Sequence, residues 1–196
     1  MFNLKNLFTR ALLALMLATG AGAASAGPVY HVTIDTQGMT GTGMLDFLLL
    51  GDATTAAPAT FTLSNFTGLY GVGVTDGDAS KVGSKLILGN SDGYARLLQA
   101  VTLGGVFGFN LEFAVGLEGD ASLLGIALLN EAMDAYLGME GDLAQFDIAP
   151  GSLAISPDNA FVTISPVSEV PEPAVMALLA MGLMMLGWTL RQRRMR

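Results

Sequence analysis

FGFNLEFAV, residues Phe107 to Val115, places Phe107, Phe109, Leu111, Phe113 and Val115 at every second position. A strand sends successive side chains to opposite faces, so these five make one apolar face, and Gly108, Asn110, Glu112 and Ala114 make the other. Burying all five at about 1.5 to 3 kcal/mol each gives on the order of 10 kcal/mol of gross stabilisation. The stretch predicts a central strand with one face on a hydrophobic core, and Phe109→Asp is expected to prevent folding.

The flanking sequence repeats this signal more weakly. Val29 to Asp35 alternates, with Tyr30, Val32 and Ile34 on one face, and Ala59 to Phe66 sets Phe61 and Leu63 against Thr60, Thr62 and Ser64. Met44 to Leu50 (MLDFLLL) is a nearly unbroken apolar run, which predicts a strand buried on both faces. Tyr70 to Val74, Lys85 to Leu88, Leu123 to Leu129, Gln145 to Ile148 and Ala160 to Ile164 are shorter strand candidates. Ala95 to Leu103 fits a strand or a short helix. Asn130 to Met139 favours a helix, with Ala132, Met133, Tyr136 and Leu137 as its stripe and Gly138 as its stop. Thr75 to Lys81 and Asn90 to Gly93 read as polar turns. Short strands at roughly 8 to 12 residue spacing, broken by Gly and Asp turns, predict an all-β fold: an antiparallel β-sandwich, jelly-roll-like. Neither an internal repeat nor a βαβ alternation is visible.

The two ends of the chain lie outside this pattern. Lys5 and Arg10 precede an apolar run from Ala11 to Ala18, and Ala24, Ser25 and Ala26 supply a small-residue cleavage site before Gly27. That arrangement predicts a secretory signal peptide over residues 1–26, cut by signal peptidase after Ala26, with Ala23 as the alternative. At the other end Val170, Pro171, Glu172 and Pro173 are followed by 17 uncharged, mostly apolar residues from Ala174 to Leu190, then by Arg191, Arg193, Arg194 and Arg196. A helix of that length spans about 25 Å, slightly less than the hydrocarbon slab, and crosses if Trp188 sits at the interface and the arginine stems snorkel. The arginines stop the chain and stay cytoplasmic by the positive-inside rule, which leaves the sandwich on the outer side of the inner membrane. The two prolines bias Val170 and Glu172 to extended geometry at the membrane surface. The expected organisation is thus a signal peptide (1–26), an extracytoplasmic domain (27–169) and a C-terminal segment (170–196), with a transmembrane helix at 174–190 and a basic tail at 191–196.

The Pro-Glu-Pro triplet, apolar helix and arginine cluster, in that order, resemble the PEP-CTERM sorting signal. The resemblance implies recognition by a membrane-embedded exosortase of a Gram-negative bacterium and cleavage near the triplet. The stretches VTIDTQGMTGTGMLDF, FTLSNF and FGFNLEF together resemble a group of small PEP-CTERM proteins with a VTIDT opening, which implies a β-sandwich and assigns no activity.

Composition narrows the chemistry. Residues 27–169 hold sixteen acidic residues against three basic ones (Lys81, Lys85 and Arg96), a formal charge of −13. That balance excludes nucleic acid and anionic membrane surfaces as partners, since both require basic patches. There is no cysteine, so burial and not disulfides must hold the exported domain together. The single histidine, His31, lies on the first strand beside the cleavage site, where it reads as an exposed strand residue and not as part of a catalytic triad. One histidine and no cysteine supply no set of zinc, copper or thiol ligands. Gly71 and Gly73 read as a turn or bulge, because no Lys-Ser/Thr follows them. Asp76, Asp78 and Ser80, or Glu118 with Asp120, could offer oxygen ligands to calcium, but match no calcium-loop pattern and read as solvated turns. Asn65 opens a glycosylation sequon and reads as an ordinary strand polar residue. No catalytic residue, cofactor or metal site is therefore expected.

The expected protein is exported and non-enzymatic, and the resemblance implies a setting at the cell surface or in an exopolysaccharide matrix with a structural or adhesive role. The alternative is a polysaccharide-binding or calcium-dependent lectin-like module using Tyr70, Tyr94 and Tyr136. A glycoside-active enzyme, which needs two facing carboxylates, ranks behind both.

Overall fold

The computed structural model describes residues 28–156 and 159–167, together with Gly182. Twelve strands follow one another: β1 (Val29–Asp35), β2 (Thr42–Leu50), β3 (Ala59–Thr67), β4 (Tyr70–Gly77), β5 (Ala79–Val82), β6 (Lys85–Gly89), β7 (Tyr94–Thr102), β8 (Val106–Val115), β9 (Ser122–Leu129), β10 (Ala144–Ala149), β11 (Ser152–Ser156) and β12 (Val162–Pro166). They form two six-stranded antiparallel sheets, sheet A in the order β12-β1-β8-β3-β6-β5 and sheet B in the order β11-β10-β9-β2-β7-β4. The predicted all-β sandwich is the observed fold.

Its connectivity is a jelly roll extended at both margins. β1 pairs with β8, β2 with β7 and β3 with β6, while β4 runs directly into β5. A long antiparallel ribbon folded over on itself gives this nested pairing. β9 to β11 widen sheet B on one side and β12 widens sheet A.

The core sits between the sheets. From β8, Phe107, Phe109, Leu111 and Phe113 are buried, and Phe109 meets Phe47 of the opposite sheet edge to face, with ring centroids 5.3 Å apart. Val115 is only half-buried, because β8 leaves the sandwich there towards Gly116. Within sheet A, Phe61 lies opposite Phe113 and Val32 opposite Phe109, so aromatic and β-branched pairs line up along the register.

Three local expectations are corrected. Thr75–Lys81 is not a turn: β4 continues to Gly77, and β5 begins at Ala79 in the other sheet. The corner needs only Gly77, at φ +66°, and Asp78, whose N–H donates to Tyr94 O while its carbonyl accepts from Gly89 N–H. Asn130–Met139 is not a helix. Asn130 binds Asp134 through both halves of its side-chain amide, Met133 stands at φ +58°, and Tyr136 pairs back onto Leu129. An asparagine that satisfies nearby backbone groups competes with the helix ladder, and here it wins. β2 is not fully buried on both faces either: Leu45, Phe47 and Leu49 are fully buried, while on the outer face Met44 and Leu48 are half-buried and Asp46 alone is buried, under Arg96.

Other boundaries shift without changing the architecture. Ala95–Leu103, open between strand and helix, lies in β7, and Ala160–Ile164 is displaced two residues to β12. β11 was not anticipated, although Pro150-Gly151 between β10 and β11 is a turn dipeptide, with Gly151 at φ +73°. The pairing of β4 with β7 shifts register between Tyr70 and Gly73, which makes the Gly71/Gly73 stretch the expected bulge.

Candidate functional site

The antiparallel registers sort every loop to one of two ends. β1 begins and β12 finishes at the same end, where Val167 N–H donates to Val29 O at 2.7 Å and Tyr30 opposes Pro166. This terminal end also gathers the loops at 51–58, 90–93 and 116–121 and the Gly77–Asp78 corner. The far end gathers the loops at 36–41, 103–105 and 130–143.

Asn90 holds the terminal end together. It is buried, its Oδ1 accepts from Ala59 N–H at 2.9 Å, and its Nδ2 donates to Ala57 O at 2.8 Å and to Ser122 Oγ at 2.9 Å. One side chain thus ties the approach to β3 and the start of β9 to the β6–β7 turn. Sequence reading found the turn at Asn90–Gly93 but not this role, because nothing in NSDG shows which elements will surround it. Beside it lies a shallow cleft of about 330 Å³ lined by Pro58, Thr60, Asp78, Ser91 and Val115. The Asp78 carboxylate there accepts from Ser91 N–H at 3.1 Å and Ser91 Oγ at 2.6 Å. A cleft with one carboxylate and two hydroxyls, those of Thr60 and Ser91, can hydrogen-bond a polyol.

The calcium candidates do not converge. Asp76 accepts from Tyr94 Oη at 3.2 Å, whereas Asp78 turns to Ser91. Asp120 is engaged through its backbone, accepting from Ala57 N–H and donating to Thr55 O. No group of three metal-ligating side chains occurs among the described residues. Asp52, in the neighbouring loop, accepts from the Thr54 hydroxyl, Thr54 N–H and Thr55 N–H, and these bonds hold its carboxyl below the usual carboxylate range.

The tyrosines are equally dispersed. Tyr70 is packed edge-on against Phe66 and Phe107, and burial pushes its phenol upward from its ordinary value; it is a half-buried residue packed against the core, not an open sugar platform. Tyr94 is exposed at the terminal end, its phenol raised by the adjacent Asp76 carboxylate. Tyr136 is exposed at the far end, where with Gly138, Met139 and Glu140 it lines a hollow of about 400 Å³.

Two further residues differ from expectation. His31 is half-buried, not exposed, with Nδ1 2.8 Å from Asn110 Oδ1 on the outer face of sheet A. Asn65 sits at φ +54° where β3 shifts register against β8, so it is a bulge residue in the left-handed region, which asparagine tolerates better than most side chains. On the outer face of sheet B, Arg96 donates from Nε to Asp46 Oδ1 at 2.8 Å and from Nη2 to Oδ2 at 2.6 Å. This bond raises the guanidinium further above its ordinary value. Neither partner was picked out by sequence, because they lie fifty residues apart and meet only through the β2–β7 register.

β12 brings the chain to Val167 at the terminal end, two residues short of the sequence that decides the protein's destination. Residues 169–194 match the PEP-CTERM protein-sorting motif. The match covers the triplet Pro171–Pro173, the apolar run and Arg191, Arg193 and Arg194. The motif marks an exported, membrane-anchored protein that exosortase then processes. No curated protein and no solved structure matches the chain. The predicted sites at Ala24, Ala26 and Gly27, at Val170–Pro173 and at Arg191, Arg193, Arg194 and Arg196 lie outside the described residues, as does the predicted helix at 174–190 except for Gly182. Among the described residues no helix is long and apolar enough to cross a membrane.

Proposed function

We propose that the protein is a non-enzymatic structural or adhesive component of the cell surface or exopolysaccharide matrix. In this reading signal peptidase cuts after Ala26, the 174–190 segment holds the chain in the inner membrane, and exosortase releases it near Pro171–Pro173. The observation that carries the reading is the sorting motif at 169–194, which follows directly on the last strand of a jelly roll. The polar groups of the sandwich support the non-enzymatic part. His31, Asp46, Asn90 and Asp78 each bind a neighbour in the fold, and Asn90 and Asp78, which line one shallow cleft, are both engaged there in structural hydrogen bonds. Mass spectrometry of the mature protein from cells with and without active exosortase tests the processing. A new C-terminus near the triplet is expected only in the former, and retention of Ala174–Arg196 in both would leave a plain anchor.

A polysaccharide-binding role draws support from one arrangement, the exposed Tyr136 beside Glu140 in the far-end hollow, where an aromatic face and a carboxylate could hold a sugar ring. Glycan-array binding, with and without calcium, comparing wild type with Tyr136→Ala, Tyr94→Ala and Asp76→Ala plus Asp78→Ala, separates the two roles. A wild type that binds no glycan leaves the structural role alone.

A further inference from the structure

We infer that, while its C-terminal segment is in the membrane, the sandwich stands on its terminal end and presents the 130–142 loop outward. The inference rests on the exported, anchored reading above and adds which end of the sandwich faces the membrane.

Two observations lead to it, and a third sets the spacing. The first is geometric: Val29 and Val167 are hydrogen-bonded neighbours at one end of the sandwich, so both termini leave from that end. The second is chain length. Only residues 168–173 separate Val167 from the apolar run at Ala174, and even fully extended the seven steps reach about 25 Å. β8 has ten residues and carries the far end about 30 Å beyond the terminal end. The tether thus keeps the terminal end within about 25 Å of the lipid, too close for the sandwich to stand on its far end about 30 Å away.

Charge does not choose between the ends, since the 130–143 loop carries Glu131, Asp134, Glu140 and Asp142 with no lysine or arginine either, but it sets how closely the terminal end approaches the lipid. The terminal end carries Asp52, Asp76, Asp78, Asp92, Glu118 and Asp120, and its loops at 51–58, 77–78, 90–93 and 116–121 contain no lysine or arginine. Facing anionic headgroups, these carboxylates repel within a Debye length of about 8 Å at physiological salt. Repulsion holds the terminal end off the surface while the tether keeps it near. The Asp78 cleft and the Tyr94–Asp76 pair then face the lipid, and Tyr136 and Glu140 face away from it.

The absence of cysteine from the chain makes the test clean. Ala53 at the terminal end and Ala132 at the far end are both exposed. The full-length variants Ala53→Cys and Ala132→Cys would be produced in a bacterial host lacking exosortase, so that the anchor is retained. Each would be labelled in intact spheroplasts with a membrane-impermeant donor dye, and energy transfer to acceptor lipid in the outer leaflet measured. Both sites should label, and transfer from residue 53 should exceed that from residue 132 by about twofold or more, given the ~30 Å length of the sandwich. Equal transfer at two labelled sites, or stronger transfer from residue 132, would overturn the orientation alone. Failure of both sites to label would overturn it together with the export reading.

Discussion

β8 and β2 are the inner strands on which the two sheets are built, and their outer faces could hardly differ more. β8 sends Gly108, Asn110 and Glu112 outward, beside His31 and Thr33 of β1 and Thr62 and Ser64 of β3. β2 sends out Met44, Asp46 and Leu48, beside Arg96 and Leu98 of β7. Polar outer residues hydrogen-bond laterally, as His31 does with Asn110. Apolar ones cover one another across the register, and the single charge among them, Asp46, is closed off by a two-bond guanidinium pair. Alternation is therefore visible in sequence only where the solvent side is left polar; the same one-sided burial in β2 looks like a fully buried strand.

The largest effect is expected where the two strands meet. Phe109→Asp would put a carboxylate against Phe47 in a dry core, and a burial penalty of several kcal/mol per unpaired charge is a large fraction of a domain's whole stability. No cooperative unfolding transition should remain by circular dichroism.

The next comparison asks whether β2 is buried on one face or two. Leu49→Thr, in the core, should lower stability by about 3 kcal/mol in urea titration, and Leu48→Thr, one residue along and half-buried, by about 1 kcal/mol. Equal losses would mean that the outer face is covered after all.

Third, the outer-face bonds can be set against each other. Arg96→Ala leaves the Asp46 carboxylate, 10% exposed, without its partner, and should destabilise by about 2 kcal/mol, discounted because the arginine side chain is itself 37% exposed. His31→Leu removes one half-buried neutral hydrogen bond and should cost about 1 kcal/mol. A reversed order would place the greater constraint on sheet A.

The smallest effect appears only at high pH, at the far end of β8, where Tyr70 rests on Phe107. Burial raises its phenol in the folded state, so the folded chain holds the proton more tightly than the unfolded chain does. Its contribution is complete below the ordinary tyrosine value of about 10 and falls as pH rises above it. Tyr70→Phe should match wild type at pH 7 and lose less stability between pH 10 and 12, as read from urea midpoints.

What could be read from the residues alone follows from what each signal needs. The two-residue period of FGFNLEF, the turn at Asn90–Gly93 and the order of triplet, greasy stretch and arginines are all local, and a local signal survives without its surroundings. The sandwich and the sorting motif were legible for that reason. The helix expected at Asn130–Met139 failed because helical spacing does not show that Asn130 will bind Asp134 instead of leaving the ladder free. Asn90 as the tie between β3 and β9, the Asp46–Arg96 pair and the meeting of both termini at one end came only from the folded chain. Each depends on registers between segments tens of residues apart, and register is fixed by which faces the finished core has to bury.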